Sequence, residues 1–493
     1  MDEFAQPRLE RVRALLRDAM RRVEEESGAI YAGWSGKIFR GEFKASAGNL
    51  ADYLAFRRHD LTELQDELAL LGLSSLGRAE AHIGPTLRAV DATLNRLAGA
   101  PATWPDAAEF AAGGLRLSTA QKRFFGSAYG GRSTRIMTTL PSEAADDRML
   151  VERLIAAGSN CVRINCAHDD AVAWERMIDN VRQVAKTAGR RCPVLMDISG
   201  PKVRVESVSS TAKRLHRGDI FRLSFGPLDR KSDETAFSIN FPDVVGKLAV
   251  DAPVLINDGK IGARVVAVEE YGVVLQVTTA REKGEKLKVE KGVNMPTVEL
   301  DIDPLTPKDF VDLDFVAENA DIVGYSFVQR PADVDLLVGE LAKRRKSAPP
   351  QPLLLKIETP LAVKNLPRLL VAAGGRHPVG VMIARGDLAM EVGPERLSEV
   401  QEEILWLCEA AHAPVVWATQ VLESMVKEGA PSRAEITDAA MGQRAECVML
   451  NKGPFLAEAV AFLSGILHRM DRHQTKKTAR LSALTSWKGG QEL

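Results

Sequence analysis

Short apolar runs recur along the chain, and an amphipathic helical stretch follows each of them. Eight such runs end in polar residues: 135–139, 161–165, 193–197, 322–327, 353–358, 379–385, 414–419 and 447–451. Strands that are buried on both faces form continuous apolar runs, whereas strands with one face in water alternate. Eight strand-then-helix units therefore predict an α/β fold, a (β/α)8 barrel of the TIM type.

The gap between the third and fourth runs is too long for one helix and predicts an inserted domain. Residues 205–298 are rich in β-branched positions with partial alternation, and Asp258-Gly259 and Tyr271-Gly272 mark turns. This pattern predicts a small β-barrel domain on the carboxyl-terminal face of the main barrel. Such a domain would act as a lid that excludes water from a transfer reaction. The alternative is an insertion without a catalytic role.

Residues 1–130 have a helical pattern and predict an N-terminal α-helical domain. One amphipathic stripe lies between residues 11 and 25, a second helix is predicted over 50–70 before Gly72, and a third over 78–97. The segments 101–105 and 126–131 have linker composition. The predicted organisation is helical domain 1–130, barrel 131–204 and 299–473, lid 205–298 and tail 474–493. The tail is predicted to be a terminal helix that fades into disorder.

Composition favours a cytoplasmic enzyme that acts on small molecules. The 493 residues are 45% hydrophobic, enough for several buried cores, and the net charge of −1 favours neither nucleic acid nor a membrane surface as partner. Five cysteines without CxxC spacing predict reduced core residues. Neither a leader pattern after Met1 nor a membrane-spanning apolar segment is apparent in the sequence.

Charged residues mark the ends of two predicted strands. Lys356 and Glu358 lie two positions apart and hence on one face of their strand, and Arg385 and Asp387 follow the next strand. Active sites of parallel barrels form at the carboxyl ends of the strands. We therefore expect two carboxylates, a lysine and an arginine to converge, and carboxylate oxygens suit Mg²⁺ or Mn²⁺. The alternative is an ion pair that only closes the barrel.

Nine segments, in order along the chain, resemble the pyruvate kinase family. They are 162–168 (VRINCAH), 196–204 (MDISGPKVR), 257–259 (NDG), 291–296 (KGVNMP), 305–309 (LTPKD), 356–358 (KIE), 384–388 (ARGDL), 418–425 (ATQVLESM) and 431–435 (PSRAE). The family has a barrel with a β domain after its third strand, in agreement with the pattern above. The resemblance covers about residues 135–470.

The resemblance implies a role for each matching residue. It implies that Glu358 and Asp387 bind the divalent metal, and that Lys356 and Arg163 lie at the transferring phosphoryl group of phosphoenolpyruvate. Thr419, with the backbone at Gly386 and Asp387, matches the site of the substrate carboxylate and of proton delivery. The nucleotide, ADP or ATP, is implied at four positions: Arg204, Lys291, His168 and Thr139.

The segments around Asn165 and Asp197 depart from the family pattern at the potassium site. Asn165 and Asp197 match potassium ligands, but Ala167 stands where the family has a serine and Lys202 where it has a glutamate. The ammonium of Lys202 is predicted to replace the ion, so we expect activity without K⁺. The alternative for Lys202 is a solvated surface lysine.

Other departures concern the eighth strand, the first strand and the C-terminus. Asn451-Lys452-Gly453-Pro454 replaces the family's Ser-Gly-Glu-Thr, which puts the proton step in doubt because an amide cannot relay a proton as a hydroxyl can. Thr139-Leu140-Pro141 lacks the family's Gly-Pro pair. The sequence ends about twenty residues after the last barrel helix, and we therefore expect neither the family's C-terminal domain nor its sugar-phosphate regulation.

Three functions remain open from the sequence. The first is phosphoryl transfer from phosphoenolpyruvate to a nucleoside diphosphate, a step of glycolysis. The second is a metal-dependent lyase or aldolase that acts on a pyruvate-like enolate, which would need neither the lid nor Lys356. The third is a non-catalytic regulatory homologue, suggested by the altered eighth-strand loop. Nucleotide preference, reaction direction and any homo-oligomer stay undetermined.

Overall fold

The computed structural model describes residues 5–209, 214–226, 228, 234–345 and 348–480. The α-helices are α1 Ala5–Ser35, α2 Gly41–Arg57, α3 Thr62–Leu70, α4 Ile83–Leu97, α5 Ala107–Phe125, α6 Arg148–Ala157, α7 Ala171–Thr187, α8 Pro307–Asn319, α9 Pro331–Arg344, α10 Pro360–Gly374, α11 Arg385–Val392, α12 Pro394–Ala410, α13 Glu423–Glu428, α14 Arg433–Met441 and α15 Leu456–Met470. Short 3-10 helices cover Glu80–His82, Ser142–Ala145, Pro242–Lys247 and Gly442–Arg444.

The β-strands belong to a barrel, an inserted sheet and two small ribbons. They are β1 Arg135–Thr139, β2 Cys161–Asn165, β3 Val194–Ile198, β4 Val205–Val208, β5 Arg214–Leu215, β6 Ile220–Ser224, β7 Ala236–Ile239, β8 Pro253–Ile256, β9 Ile261–Glu269, β10 Gly272–Thr279, β11 Glu285–Lys286, β12 Val293–Asn294, β13 Ile322–Tyr325, β14 Leu353–Ile357, β15 Val379–Ala384, β16 Val415–Ala418, β17 Cys447–Leu450, β18 Gln474–Thr475 and β19 Thr478–Ala479.

Eight parallel strands close into a barrel in the order β1-β17-β16-β15-β14-β13-β3-β2. Each of the eight predicted apolar runs overlaps one barrel strand, so the predicted fold class is confirmed. The barrel strands are buried along nearly their whole length, because helices cover the outside and side chains fill the inside. Helices begin at caps soon after strands end; for example, Thr359 caps α10 two residues after β14.

The insertion after β3 folds as a seven-stranded sheet in the order β12-β8-β9-β10-β6-β7-β4. It has its own apolar core, in which the rings of Phe221 and Phe237 stack with centroids 5.8 Å apart. Its two connections to the barrel run side by side, since Arg204 and Gly292 form an antiparallel bridge. We call this sheet, residues 205–298, the lid domain.

The N-terminal helices pack on the barrel and share its outer core. The ring of Phe43 on α2 lies against Gly374 at the end of α10, where even a Cβ atom would come within 2.5 Å of it. Asn49 Nδ2 donates to the carbonyl of Ala410 on α12 at 2.8 Å. The helices are therefore held in place by close packing and by hydrogen bonds.

The N-terminal region and the tail differ locally from the sequence-based prediction. The single helix predicted over 50–70 is two helices, because α2 ends at Arg57 and Asp60 accepts a hydrogen bond from the Thr62 backbone that starts α3. Helix α5 was not predicted at all. The predicted terminal helix begins instead with the ribbon of β18 and β19; residues 481–493 lie outside the described part of the chain.

Helix α5 closes the amino-terminal end of the barrel. Phe124 and Phe125, at its C-terminal end, are fully buried and belong to the same apolar cluster as interior side chains of all eight barrel strands. A Cβ atom at Gly380 of β15 would lie 3.0 Å from the Phe124 ring, so a larger residue there would crowd it. The N-terminal region thus supplies part of the barrel interior.

Phe124→Ala is expected to lower the free energy of unfolding by about 3–5 kcal/mol, because it leaves a cavity in a close-packed interior. The midpoint of urea unfolding, followed by circular dichroism, measures this loss. Leu115→Ala on the same helix is the matched control, since Leu115 is 68% exposed and its removal should change stability by less than about 0.5 kcal/mol. Equal effects of the two variants would contradict the closure of the barrel by Phe124.

Within the described residues, the helices include none with the length and apolar character needed to cross a bilayer. All five cysteines are buried and unpaired, as predicted.

Candidate active site

Charged side chains from neighbouring strands meet at the carboxyl-terminal mouth of the barrel. Arg163 lies on β2, Asp197 on β3, Lys356 on β14, and Glu358 follows β14 directly. These strands are close in the barrel, because β2 pairs with β3, and β13 lies between β3 and β14. All four side chains are at most 9% exposed, so their charges are satisfied mainly by one another.

One carboxylate oxygen holds two cations together. Asp197 Oδ2 accepts from Arg163 Nε at 2.8 Å and Nη2 at 2.6 Å, and lies 3.3 Å from Lys356 Nζ. Lys356 Nζ is also 3.3 Å from Glu358 Oε1. Arg163 Nη1 donates to Thr139 Oγ1 at 3.3 Å, which joins β1 to the group. A guanidinium and an ammonium are therefore fixed side by side.

Ser326 completes this network, and the sequence analysis did not single it out. Lys356 Nζ donates to Ser326 Oγ at 2.7 Å, and the Ser326 hydroxyl donates to the carbonyl of Ile198 at 2.7 Å. The next residue donates its backbone N–H, Phe327 N, to Glu358 Oε2 at 2.6 Å. The available signal was that Ser326 lies in a predicted strand run ending at the same mouth.

The protonation states follow from burial and from these neighbours. Burial acts to raise the pKa of Asp197, but Lys356 and Arg163 outweigh it and hold that pKa below its usual value. Burial acts to lower the pKa of Lys356, but the carboxylates of Asp197 and Glu358 outweigh it and hold that pKa above its usual value. Burial raises the pKa of Glu358; Lys356 opposes this and Asp387 adds to it. Asp197 is thus a fixed anion, and the negative charge of Glu358 is the less compensated of the two.

Asp387, in the first turn of α11, binds the ammonium of Lys202. Lys202 Nζ lies 2.8 Å from Asp387 Oδ1 and 2.9 Å from Oδ2. The side chain of Lys202 is only 23% exposed, so it is not a solvated surface lysine. Its ammonium was predicted to replace the potassium ion at Asn165 and Asp197, but in the structure it pairs with Asp387. Asn165 Oδ1 instead accepts the backbone N–H of Ala167 at 3.2 Å.

Thr419 and Gly386 contact each other directly. The Gly386 N–H donates to Thr419 Oγ1 at 2.7 Å, so one of the amides expected to hold a substrate carboxylate already has a partner. Arg385 does not join the charged group, and its predicted convergence with Lys356 is wrong. Its guanidinium binds the carbonyls of Ala418 and Thr419, pairs with Asp438 and lies over the Trp417 ring.

Three of the four residues matched to the nucleotide, Arg204, Lys291 and His168, form a more exposed basic rim. The fourth, Thr139, is buried beside Arg163. Arg204 Nη1 donates to the carbonyl of Glu290 at 3.1 Å, which places it at the lid connection next to Lys291. His168 lies exposed in the turn after β2. Partial burial lowers the pKa of His168, and the cations Lys452 and Arg204 lower it further, so His168 is neutral near pH 7. The rim carries its positive charge on arginine and lysine.

The donor set fits a divalent cation bound jointly by protein and substrate. Glu358 and Asp387 follow two paired strands, and the charge of Asp387 adds to the effect of burial in raising the pKa of Glu358. Among the described residues, no three His, Cys, Asp or Glu side chains form a metal cluster. Mg²⁺ commonly binds one or two carboxylates and takes its remaining ligands from substrate and water. A cation here would share Asp387 with Lys202.

The comparisons with known proteins agree with this geometry. The sequence profile of the family described as "Pyruvate kinase, barrel domain" matches residues 131–460. The chain belongs to the pyruvate kinase family. The match begins beyond the N-terminal helices α1–α5 and includes all eight barrel strands, with the lid domain inside it, and ends within α15. The expected family membership is therefore confirmed.

Named relatives in the family share about a third of the aligned residues. The chain is 32% identical to "Pyruvate kinase" of Geobacillus stearothermophilus over 349 residues, 69% of this chain and 57% of the relative. It is 33% identical to that of Methylorubrum extorquens over 69% of each chain, and 32% identical to that of Thermococcus litoralis over 72% of each. The chain thus spans less than two thirds of the Geobacillus relative.

Proposed function

We propose that this chain transfers the phosphoryl group of phosphoenolpyruvate to ADP, giving pyruvate and ATP with uptake of one proton. The observation that carries the proposal is the buried group of Arg163, Asp197, Lys356 and Glu358 at the barrel mouth beside Asp387. Membership in the pyruvate kinase family supports it. A preorganised pair of cations suits phosphoryl transfer, in which negative charge moves between donor and acceptor oxygens.

The two fixed cations would bind the transferring phosphoryl group. Arg163 and Lys356 are held by Asp197 before substrate arrives, so little reorganisation is needed when negative charge moves between donor and acceptor. Asp197 acts as a positioning residue, since it orients both cations. Arg163 also donates to the Thr139 hydroxyl and Lys356 to the Ser326 hydroxyl, so each cation is fixed by a second partner.

Glu358 and Asp387 would hold the divalent metal, Mg²⁺ or Mn²⁺, which supplies Lewis-acid stabilisation of enolate charge when bound. The Thr419 hydroxyl lies at the first turn of α11, where the substrate carboxylate is expected. Arg204, Lys291 and the neutral His168 line the rim for the nucleotide phosphates and sugar. The lid domain approaches this rim, and Asn294 of β12 donates to Glu391 of α11 at 2.8 Å.

Pyruvate formation from phosphoenolpyruvate, ADP and MgCl₂, measured with lactate dehydrogenase and NADH as the coupling system, tests the proposal. We expect turnover that needs both the diphosphate and the metal. Lack of pyruvate formation with the diphosphates of adenosine, guanosine, uridine and cytidine would overturn it. The buried, unpaired thiols fit a reducing compartment, and we place the reaction in the cytoplasm.

We further propose that the reaction proceeds without K⁺. Two observations support this: Ala167 lacks the hydroxyl expected of a potassium ligand, and the Lys202 ammonium already provides a fixed positive charge beside Asp387. Turnover in tetramethylammonium chloride should equal turnover in KCl of the same ionic strength to within about twofold. A steep rise with KCl from a negligible level would contradict the proposal.

Lys202→Gln is expected to lower kcat/KM about tenfold or more, because it removes a largely buried charge from the metal-binding carboxylate. The coupled assay measures the loss at several MgCl₂ concentrations. Lys283→Gln, an exposed lysine of the lid domain, is the matched control and should change kcat/KM by less than twofold. A Lys202→Gln enzyme with full activity would show that this ammonium has no part in the site.

A further inference from the structure

A cavity of about 520 Å³ lies at the amino-terminal end of the barrel, opposite the candidate active site. Helices α2 and α5 form two of its walls, and the start of β15 with the loop after α12 forms the third. Its volume is within the usual range for small-molecule sites, about 300–1,000 Å³. The family profile covers the wall formed by β15 and the loop after α12, but neither α2 nor α5, which form the rest of the cavity.

The inner part of the cavity is apolar and rigid. The rings of Phe43 and Phe124, 6% and 0% exposed, line it together with Val379 at the first position of β15. Phe124 is fixed by the barrel interior, and Phe43 by its contact with Gly374. These three side chains are almost fully covered, so the apolar surface that a ligand could contact is mainly that of Leu115, which also lines the cavity and is 68% exposed.

The outer part is basic. Arg40, Arg116 and Arg123 line it, and Glu42 is the acidic side chain among the lining residues. Two of these arginines share Glu42: its Oε2 lies 2.8 Å from Arg40 Nη2 and 3.7 Å from Arg123 Nη1. Arg116 has no ion pair or hydrogen bond within the described part of the chain. Arg40 is engaged further, because its Nη1 donates to the carbonyls of Gly374 and His377 at 3.0 and 2.7 Å. Arg116 and Arg123 are therefore the guanidinium groups with donors left for a ligand.

The histidine of the cavity does not add to this charge. His412 Nε2 lies 2.9 Å from the carbonyl of Ala81 and must carry the proton to donate to it, so Nδ1 accepts from Ser46 Oγ at 2.9 Å. Burial, together with the nearby charge of Arg116, lowers the pKa of His412 to about 4. The positive charge of the cavity therefore rests on arginines and does not change between pH 6 and pH 9.

We propose that this cavity binds a small organic anion, with its phosphate or carboxylate group on Arg116 and Arg123 and its apolar part against Leu115. Guanidinium groups favour both anionic groups because their paired N–H donors match two oxygens. A purely apolar ligand would leave Arg116 unpaired, and inorganic phosphate alone would leave the apolar side of the cavity uncovered. Both parts of the cavity are used only by a ligand that carries both kinds of group.

The fluorescent anion 8-anilinonaphthalene-1-sulfonate, which joins a sulfonate to apolar rings, is a suitable probe. We expect saturable binding at one site per chain, unchanged by saturating phosphoenolpyruvate, ADP and MgCl₂. Arg116→Gln should raise the dissociation constant about five- to tenfold through loss of a charged contact, and Ala120→Trp should abolish binding because the new ring fills the cavity. Sodium phosphate should displace the probe more effectively than NaCl of equal ionic strength.

Arg96→Gln, an exposed arginine of α4 outside the cavity, is the matched control and should leave probe affinity unchanged. Equal weakening by Arg96→Gln and Arg116→Gln would overturn the proposal, as would full binding by a folded Ala120→Trp. If Ala120→Trp does not fold, the comparison of the two glutamine variants decides. The remaining alternative is that the cavity is an interface between copies of this chain, and sedimentation velocity tests it. If Ala120→Trp dissociates an oligomer and phosphate does not compete with the probe, the cavity is such an interface and the proposal is overturned. These measurements need no turnover, so their outcome is independent of the proposed function.

Discussion

Lys356→Met is expected to lower kcat for pyruvate formation by about 10³-fold or more. The ammonium of Lys356 is one of two cations held against Asp197, and removal of a preorganised charge from a buried site typically costs two to three powers of ten (about 10²–10³) even for one donor. Here the loss should be larger, because Asp197 and Glu358 also lose their compensating charge. The coupled assay at saturating substrates, with enzyme at micromolar concentration, measures the residual rate.

The control for this variant must separate catalysis from stability. Lys343→Met removes a lysine that is ion-paired with Glu340 on the surface of α9, and kcat should stay within about twofold of the original. Removal of one partner from a buried ion pair also destabilises proteins by about 3–5 kcal/mol, so thermal melting must show that the Lys356→Met chain is folded at the assay temperature. A folded variant that retains a tenth of the activity would refute the role of Lys356 in phosphoryl transfer.

Glu358→Gln is expected to weaken Mn²⁺ binding by about 100-fold and to abolish measurable turnover. The amide keeps the size of the side chain and an oxygen that can accept the Phe327 N–H, but it removes one of the two anionic ligands. Free Mn²⁺ can be counted by its electron paramagnetic resonance signal in the presence of the protein. This readout reports the metal site directly and does not depend on the reaction.

Glu340→Gln is the matched control for the metal site. Glu340 is also a buried carboxylate, 7% exposed, but it lies on α9 and binds Lys343 and Arg344. Its substitution should leave Mn²⁺ affinity within about twofold, whatever it does to stability. If the Glu358→Gln chain binds Mn²⁺ as tightly as the Glu340→Gln chain, then Glu358 pairs with Lys356 and does not bind the metal. That outcome would favour the alternative from the sequence, an ion pair that only closes the barrel.

Prediction from sequence succeeded where the pattern is local. Each barrel strand is a short apolar run whose two faces are both buried, so the run identifies the strand without knowledge of its neighbours. The same holds for the lid domain: the β-rich stretch 205–298 contains β4 to β12, and the predicted turns at Asp258-Gly259 and Tyr271-Gly272 lie before and after β9. It failed over 50–70, where α2 ends at Arg57 and the Thr62 N–H at the start of α3 donates to Asp60.

The N-terminal region shows a different limit. Its helices were predicted as a domain of their own, because amphipathic stripes show that a helix has a buried face but not what that face packs against. In the structure α5 places Phe124 and Phe125 inside the barrel, and α2 lies on α10 and α12. The cavity between them could not have been anticipated from either segment alone.

The sequence by itself determined the barrel, the inserted lid domain, the family and the residues gathered at the mouth, because strand pattern and strand-end position are properties of short segments. Only the tertiary structure decided which charge each of those residues faces. Lys202 binds Asp387, 185 positions away, Ser326 bridges Lys356 to β3, and Arg385 turns toward Asp438 instead of the mouth. Such pairings depend on how distant segments pack against each other, and a buried charge takes the partner that packing brings within reach.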